Sequence, residues 1–177
     1  TLSAHLTGPG AVYESVQSLA PGKGMANFKY EAKEYFVSGT ANGQPYKTRV
    51  VVRKPANNAA FSGLVLVEAM HPSGSAHMFE YTSIYTMSSG HIAVEILTSG
   101  QQQIINHNKE RYGDITIAQG QTNDILAQVG SLLRPNQKGS PLAGLAVRKM
   151  ILAGTSATAG ILINYLPAHM VYRTPEM

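Results

Sequence analysis

The chain reads as an α/β protein in which an antiparallel hairpin is followed by parallel strands with crossover helices. Three observations predict this class: two β-rich runs flanking Asn42-Gly43, three short continuous apolar runs further along, and spacers between those runs that are long enough to be helical. A length of 177 residues with 44% hydrophobic and 14% charged residues supports a packed core and argues against disorder.

Residues 1–27 are rich in Gly, Pro, Ser and Ala, with Gly8-Pro9-Gly10 and Pro21-Gly22-Lys23-Gly24 as breakers, and are expected to form an irregular lead-in. The domain proper is expected over 28–177. From Phe28 the pattern turns β-rich, and a second such run covers Tyr46 to Arg53. Asn42-Gly43 lies between them and predicts a tight hairpin, because the favoured two-residue turn needs positive φ at both positions. Pro55 to Ser62 is a polar connection. The apolar runs Leu64 to Ala69, Ile92 to Leu97 and Met150 to Ala153 lack alternation and fit strands buried on both faces of a parallel sheet.

The spacers then supply helices. One is expected over His77 to Ser88, ended by Ser89-Gly90. A second is expected over Asn123 to Arg134, where Ile125, Leu126, Val129, Leu132 and Leu133 fall on one stripe and Pro135 stops the run. A third is expected from about Ser156 to Leu166, closed by Pro167. Thr98 to Gln121 reads as a long polar loop of the kind that often caps sites.

Chemistry concentrates where the last apolar run meets the third helix, at Met150-Ile151-Leu152-Ala153-Gly154-Thr155-Ser156-Ala157-Thr158-Ala159-Gly160. A strand running into Gly-x-Ser and then a small-residue helix start is the pattern of a nucleophile elbow. There a serine is held on a sharp turn whose backbone segments cross closely, and the helix N-terminus favours negative charge developing nearby. The competing reading of Ser156 is an ordinary helix N-cap after a βα turn. The preceding glycine and the small residues that follow favour the nucleophile.

With Leu64-Val65-Leu66-Val67-Glu68-Ala69-Met70-His71-Pro72-Ser73-Gly74 upstream, this segment resembles the serine α/β-hydrolase superfamily, and in particular the group labelled alpha/beta hydrolase domain-containing proteins. By element order the resemblance covers residues 28 to 170. It implies the N-terminal part of an α/β-hydrolase fold, with Ser156 as nucleophile and an oxyanion hole formed by the backbone N–H of Ala157 and a second N–H from the loop after the first parallel strand. Pro72 has no N–H, so His71 or Ser73 is left for that second donor, and His71 is preferred. The common motif is Gly-x-Ser-x-Gly, whereas here Thr158 stands at the second glycine position.

The resemblance also implies a base and an acid in the order Ser, then Asp or Glu, then His. After Ser156 only His169 and Glu176 offer those types, and a helix rising about 1.5 Å per residue would carry His169 on the order of 15 Å or more from Ser156. The expected function is therefore serine-dependent hydrolysis of a small-molecule carboxylic ester through an acyl-enzyme at Ser156. Base and acid would come from a C-terminal portion or a second chain that also completes the sheet beyond the Met150 strand. The alternative is a non-catalytic hydrolase-like binding module that uses its open sheet edge or the 98–121 loop.

Other candidates weigh less. Ser73 is better explained as a turn residue between Pro72 and Gly74. Glu68 and Glu95 lie inside strand runs and would perturb each other if adjacent, but pairing with Arg49, Arg53 or backbone N–H groups is the favoured account. His71, His77, His91 and His107 show no metal-ligand spacing, and no metal or cofactor is assigned. No cysteine is present, which excludes a cysteine nucleophile and leaves covalent catalysis to serine. A net charge of +4 without a dense basic stripe gives no nucleic-acid surface, and no apolar run is long enough to span a membrane. The polar 98–121 loop and a first residue other than Met, with no leader in the sequence, favour a secreted or periplasmic protein as the expectation, while the absent cysteine fits an exported and a cytosolic protein alike.

Overall fold

The computed structural model describes residues 1–172 and has a five-stranded mixed sheet with helices on both faces. Strands β1 (Tyr30–Ala41) and β2 (Gln44–Pro55) form the expected hairpin. Asn42 and Gly43 take φ of 49° and 71°, the left-handed pair that matches the twist of the strands they join. Strands β3 (Leu64–Ala69), β4 (Ile92–Ile96) and β5 (Lys149–Ala153) follow where the apolar runs place them.

The sheet order is β1-β2-β4-β3-β5, with β4 and β5 both parallel to β3 and β2 antiparallel to β4. The chain therefore steps from β3 to β4 in one direction and from β4 across β3 to β5 in the other. Right-handed crossovers then put the two connections on opposite faces. Helix α1 (His77–Ser88) packs Phe79 and Met87 against Ala93, Tyr30 and Val16 on one face. On the other, Ile125, Leu126 and Val129 of a helix at Thr122–Leu132 cover Val50, Val52, Val65, Val67, Val94 and Ile96. Tyr165 of the last helix, Ala157–Tyr172, joins that cluster.

Two expectations are corrected. The 98–121 segment is not a polar loop: it forms α2 (Gln101–His107) and α3 (Lys109–Tyr112), so the Thr122–Leu132 helix is α4 and the Ala157–Tyr172 helix is α5. Ile104, Tyr112 and Ile115 of this segment are buried with Tyr13, Phe36, Met70 and Leu97 in a core of their own, which its many Gln and Asn residues obscured. Helix α5 also runs through Pro167 rather than ending before it. Proline removes the hydrogen bond to the carbonyl four residues earlier, that of Ile163. Both positions are exposed, so water can take the place of the lost donor.

The lead-in has no strand or helix before the short 3-10 turn Met25–Phe28, yet it is tied down. Ser3 and Leu6 donate backbone N–H groups to Phe36 and Glu34 of β1, and Tyr13, Ser15 and Val16 are buried.

Candidate functional site

The carboxyl ends of β3 and β5 define the site. These neighbours send the chain to opposite faces, β3 into α1 and β5 into α5, and α/β sheets place their sites at switch points of this kind. Glu68 and Ala153 are register partners, and His71 and Ser156 each lie three residues beyond them. The two segments singled out in the sequence thus leave the sheet side by side.

On the β5 side, Ser156 has φ of 52°, one of three residues other than glycine with positive φ among the described residues. A side chain in this region is strained, by about 1–3 kcal/mol, and such strain persists only where the surroundings over-determine it. Here they do. The Ser156 carbonyl accepts the Ala159 N–H at 3.0 Å, and the Thr155 carbonyl accepts the Thr158 N–H at 3.0 Å. Gly154 meets the close approach of strand and helix: a Cβ there would sit 2.7 Å from the Thr158 carbonyl oxygen. Ser156 is exposed, and its hydroxyl has no hydrogen-bond partner among the described residues. Ala157 is the first residue of α5, where a helix leaves its N–H without an intrahelical acceptor.

On the β3 side, the His71 to Gly74 loop is closed on itself. The His71 N–H donates to the Ser75 carbonyl at 3.0 Å, and the Gly74 N–H to the His71 carbonyl at 2.8 Å. His71 Nδ1 meets the Ser73 hydroxyl at 2.7 Å and accepts the Ser73 N–H at 3.1 Å, which is the turn role expected of Ser73. Neither N–H proposed as second oxyanion donor is therefore free in this structure. His71 would have to leave Ser75 to serve. Its ring stacks on His77 with centroids 4.0 Å apart, and His77 stacks in turn on Tyr81. Burial, with the neighbouring His77 adding to it, holds the His71 imidazole below its usual pKa and so favours the neutral ring.

Glu68 lies directly under this loop. Helix α1 has no side-chain cap from its own N-cap residue, Ala76. The Glu68 carboxylate takes that part instead, accepting the Met78 and Phe79 N–H groups at 2.9 Å each. Glu95, its register partner, is held by Arg49 at 2.7 Å and Arg53 at 2.9 Å, and by the Ser15 hydroxyl. The favoured pairings are present, and the two carboxylates are adjacent as well. Burial first, then Glu95, push the Glu68 carboxyl up to about 7.

The charged cluster extends further than the sequence suggested. Glu34 accepts from Arg49, from Arg111 at 2.7 Å and from the Tyr112 hydroxyl at 2.9 Å. The only signal for it was the presence of charges inside strand runs, which named Arg49, Arg53 and Glu95 but not Glu34, Arg111 or Tyr112.

The histidine that follows Ser156 along α5 is remote from it. His169 sits near the far end of α5, where Nδ1 meets the Tyr165 hydroxyl at 3.1 Å. Glu176 lies outside the described residues. A cavity of about 460 Å³ opens beside His169, between α4, α5 and the start of β5. Lys149, Met150 and Leu126 line it, and Ser156 does not, so it is separate from the turn at Ser156. No group of three or more His, Cys, Asp or Glu side chains suited to a metal occurs among the described residues, and no helix there is long and apolar enough to cross a membrane.

A search of curated proteins returns no match. The model of a family described as an alpha/beta hydrolase domain, however, matches residues 6–174 and so takes in the lead-in, the mixed sheet and the turn at Ser156 together. With nearly the whole chain covered, and with the sheet order and crossovers already described, this protein belongs to the alpha/beta hydrolase domain family.

Proposed function

We propose that this hydrolase-fold chain carries the nucleophile of a serine esterase. The observation that carries the reading is Ser156 itself, held at φ of 52° between β5 and α5 with an exposed hydroxyl that has no partner among the described residues. An N-cap serine needs an extended backbone and spends its oxygen on a helix N–H. Ser156 does neither.

In the proposed reaction the Ser156 oxygen attacks the ester carbonyl carbon and gives its proton to a histidine base. The carbonyl oxygen becomes an oxyanion, bound by the Ala157 N–H and by one N–H of the 71–74 loop once substrate draws it from its internal acceptor. Collapse expels the alcohol, which takes the proton from the base, and leaves an acyl-enzyme. Water, deprotonated by the same base, then releases the acid.

Base and orienting acid are assigned to a C-terminal portion or a second chain. Among the described residues strand β5 pairs with β3 alone, Ile151 on it is 40% exposed, and Ile163 and Leu166 of α5 are 68% and 66% exposed. An unpaired edge beside exposed apolar side chains supports a further strand and covering helix there.

A fluorophosphonate probe should label Ser156 in the complete protein, and Ser156→Ala should abolish both labelling and p-nitrophenyl ester turnover. Turnover retained by Ser156→Ala rejects the reading. Failure to label, together with a stable complex recovered through this chain, would instead indicate a binding module.

A further inference from the structure

Thr158 stands where the common elbow motif has glycine, and its side chain is engaged in a way a glycine could not be. Its hydroxyl accepts the Thr155 N–H at 2.9 Å and donates to the Thr155 carbonyl at 2.8 Å, and the residue is 1% exposed. We infer that Thr158 is a positioning residue for Ser156: its hydroxyl clips both ends of Thr155 and thereby holds the nucleophile in the left-handed conformation. The inference rests on the nucleophile reading of Ser156.

The reasoning is geometric. The φ and ψ of Ser156 are set by the two peptide planes on either side of it. The plane after Ser156 is fixed when its carbonyl accepts the Ala159 N–H. The plane before it contains the Thr155 carbonyl, which receives both the Thr158 hydroxyl and the Thr158 N–H. The same hydroxyl anchors the Thr155 N–H, one plane further back. Removing the hydroxyl leaves that half-buried N–H without its acceptor and frees the turn to relax toward the ordinary φ of a serine.

The second glycine of the common motif relieves a close crossing of strand and helix. Here that crossing falls between Gly154 and the backbone of Thr158, where a Cβ on Gly154 would also lie 3.0 Å from Leu162 Cδ1. The Thr158 side chain points back to Thr155, out of the crossing, so a β-branched residue is accommodated.

The test is the rate at which a fluorophosphonate labels Ser156 in the complete protein, followed from about pH 6 to 9 across the range where a histidine base titrates, for wild type, Thr158→Ser, Thr158→Val and Thr158→Gly. Thr158→Val and Thr158→Gly should react on the order of 10- to 100-fold more slowly, because a displaced nucleophile loses its attack geometry, whereas Thr158→Ser keeps the clip and should stay within about threefold. The pH midpoint should not move, since the base is untouched. A crystal structure of Thr158→Val should show residue 156 outside the left-handed region.

Labelling of Thr158→Val at the wild-type rate, or of Thr158→Ser as slowly as Thr158→Val, overturns the inference, and so does an unchanged φ at residue 156. If Thr158→Val does not fold, Thr158→Gly decides by the same criterion. A wild-type protein that is not labelled at Ser156 removes the nucleophile reading itself, and is distinguishable from a labelled wild type whose rate ignores Thr158.

Discussion

Glu68 and Glu95 face each other across β3 and β4 as register partners, and their surroundings drive the two carboxyl groups in opposite directions. Glu95 is fully enclosed, but Arg53 and Arg49 outweigh its burial and hold it below the usual carboxylate range. Glu68 has two backbone N–H donors and a more distant Arg53. These do not offset its burial and the charge of Glu95. One strand pair thus carries a carboxyl held below its ordinary range and one raised to about 7, under the loop that borders the candidate site.

This raised value makes folding pH-dependent with a definite sign. A carboxyl at about 7 in the folded protein, against 4.5 as its ordinary value, binds its proton more tightly when folded. Its favourable contribution is complete below pH 4.5 and is lost as pH rises to 7, by up to roughly 3 kcal/mol at about 1.4 kcal/mol per unit. Glu68→Gln does not titrate, so its stability relative to wild type should improve by that order between pH 4.5 and 8. Urea denaturation at the two pH values checks this. A mutant-to-wild-type difference independent of pH contradicts it.

The buried ion cluster should be intolerant of losing one member. Glu34→Ala takes the carboxylate from Arg111 and the acceptor from Tyr112, leaving the buried Arg111 guanidinium without a carboxylate partner while Arg49 keeps Glu95. Breaking a buried pair from one side costs about 3–5 kcal/mol, because the remaining charge is uncompensated. Arg111 also donates to the carbonyls of Leu6 and Pro9, and Arg49 to that of Tyr13, so the lead-in should loosen with it. Denaturant titration together with faster proteolytic cleavage before residue 20 is the expected result.

The turn between β5 and α5 predicts opposite effects for one substitution at two glycines. Gly154→Ala drives a Cβ to 2.7 Å from the Thr158 carbonyl oxygen and should cost about 1–3 kcal/mol. Gly160 lies within α5 with nothing inside 4 Å of its added Cβ, so Gly160→Ala should raise stability by about 0.5–1 kcal/mol through helix propensity. Thermal denaturation of the two variants compares them directly. Equal shifts would show that strand and helix do not cross closely here.

Ser156 should be a residue the fold holds at a cost. Glycine adopts positive φ without penalty, so Ser156→Gly should be more stable than Ser156→Ala by about 1 kcal/mol, although neither can react with a fluorophosphonate. Thermal melts of the pair measure the strain independently of catalysis. An alanine variant as stable as the glycine variant would place residue 156 outside the left-handed region.

Local chemistry made much of this fold readable in advance. The boundaries of β3 and α1 coincide with the apolar run and spacer that announced them, and Asn42-Gly43 placed the hairpin turn. Both features depend on residues adjacent in the chain. Features that residues distant in the chain decide are not legible in this way. The burial of Ile104, Tyr112 and Ile115 depends on Tyr13 and Phe36, and so their segment passed for a solvated loop. Pro167 is accommodated because its turn of α5 faces outward, which composition does not reveal.

The site divides along the same line. Gly154-Thr155-Ser156 after an apolar strand is enough to single out Ser156 and its turn, because the requirements of a sharp strand-to-helix turn are local; that Ser156 is a nucleophile is our proposal. Sequence also set Thr158 apart as a departure from the usual motif. That its hydroxyl folds back onto Thr155 is a matter of three-dimensional direction, and no spacing encodes it. Packing likewise settled that the His71 N–H is engaged by Ser75, that His169 lies with Tyr165 at the far end of α5, and that Glu68 rather than Glu95 has the raised pKa. Hydrogen-bond partners and counter-charges are assigned by which chain segments meet, so their effect on a side chain appears only once the sheet has brought those segments together.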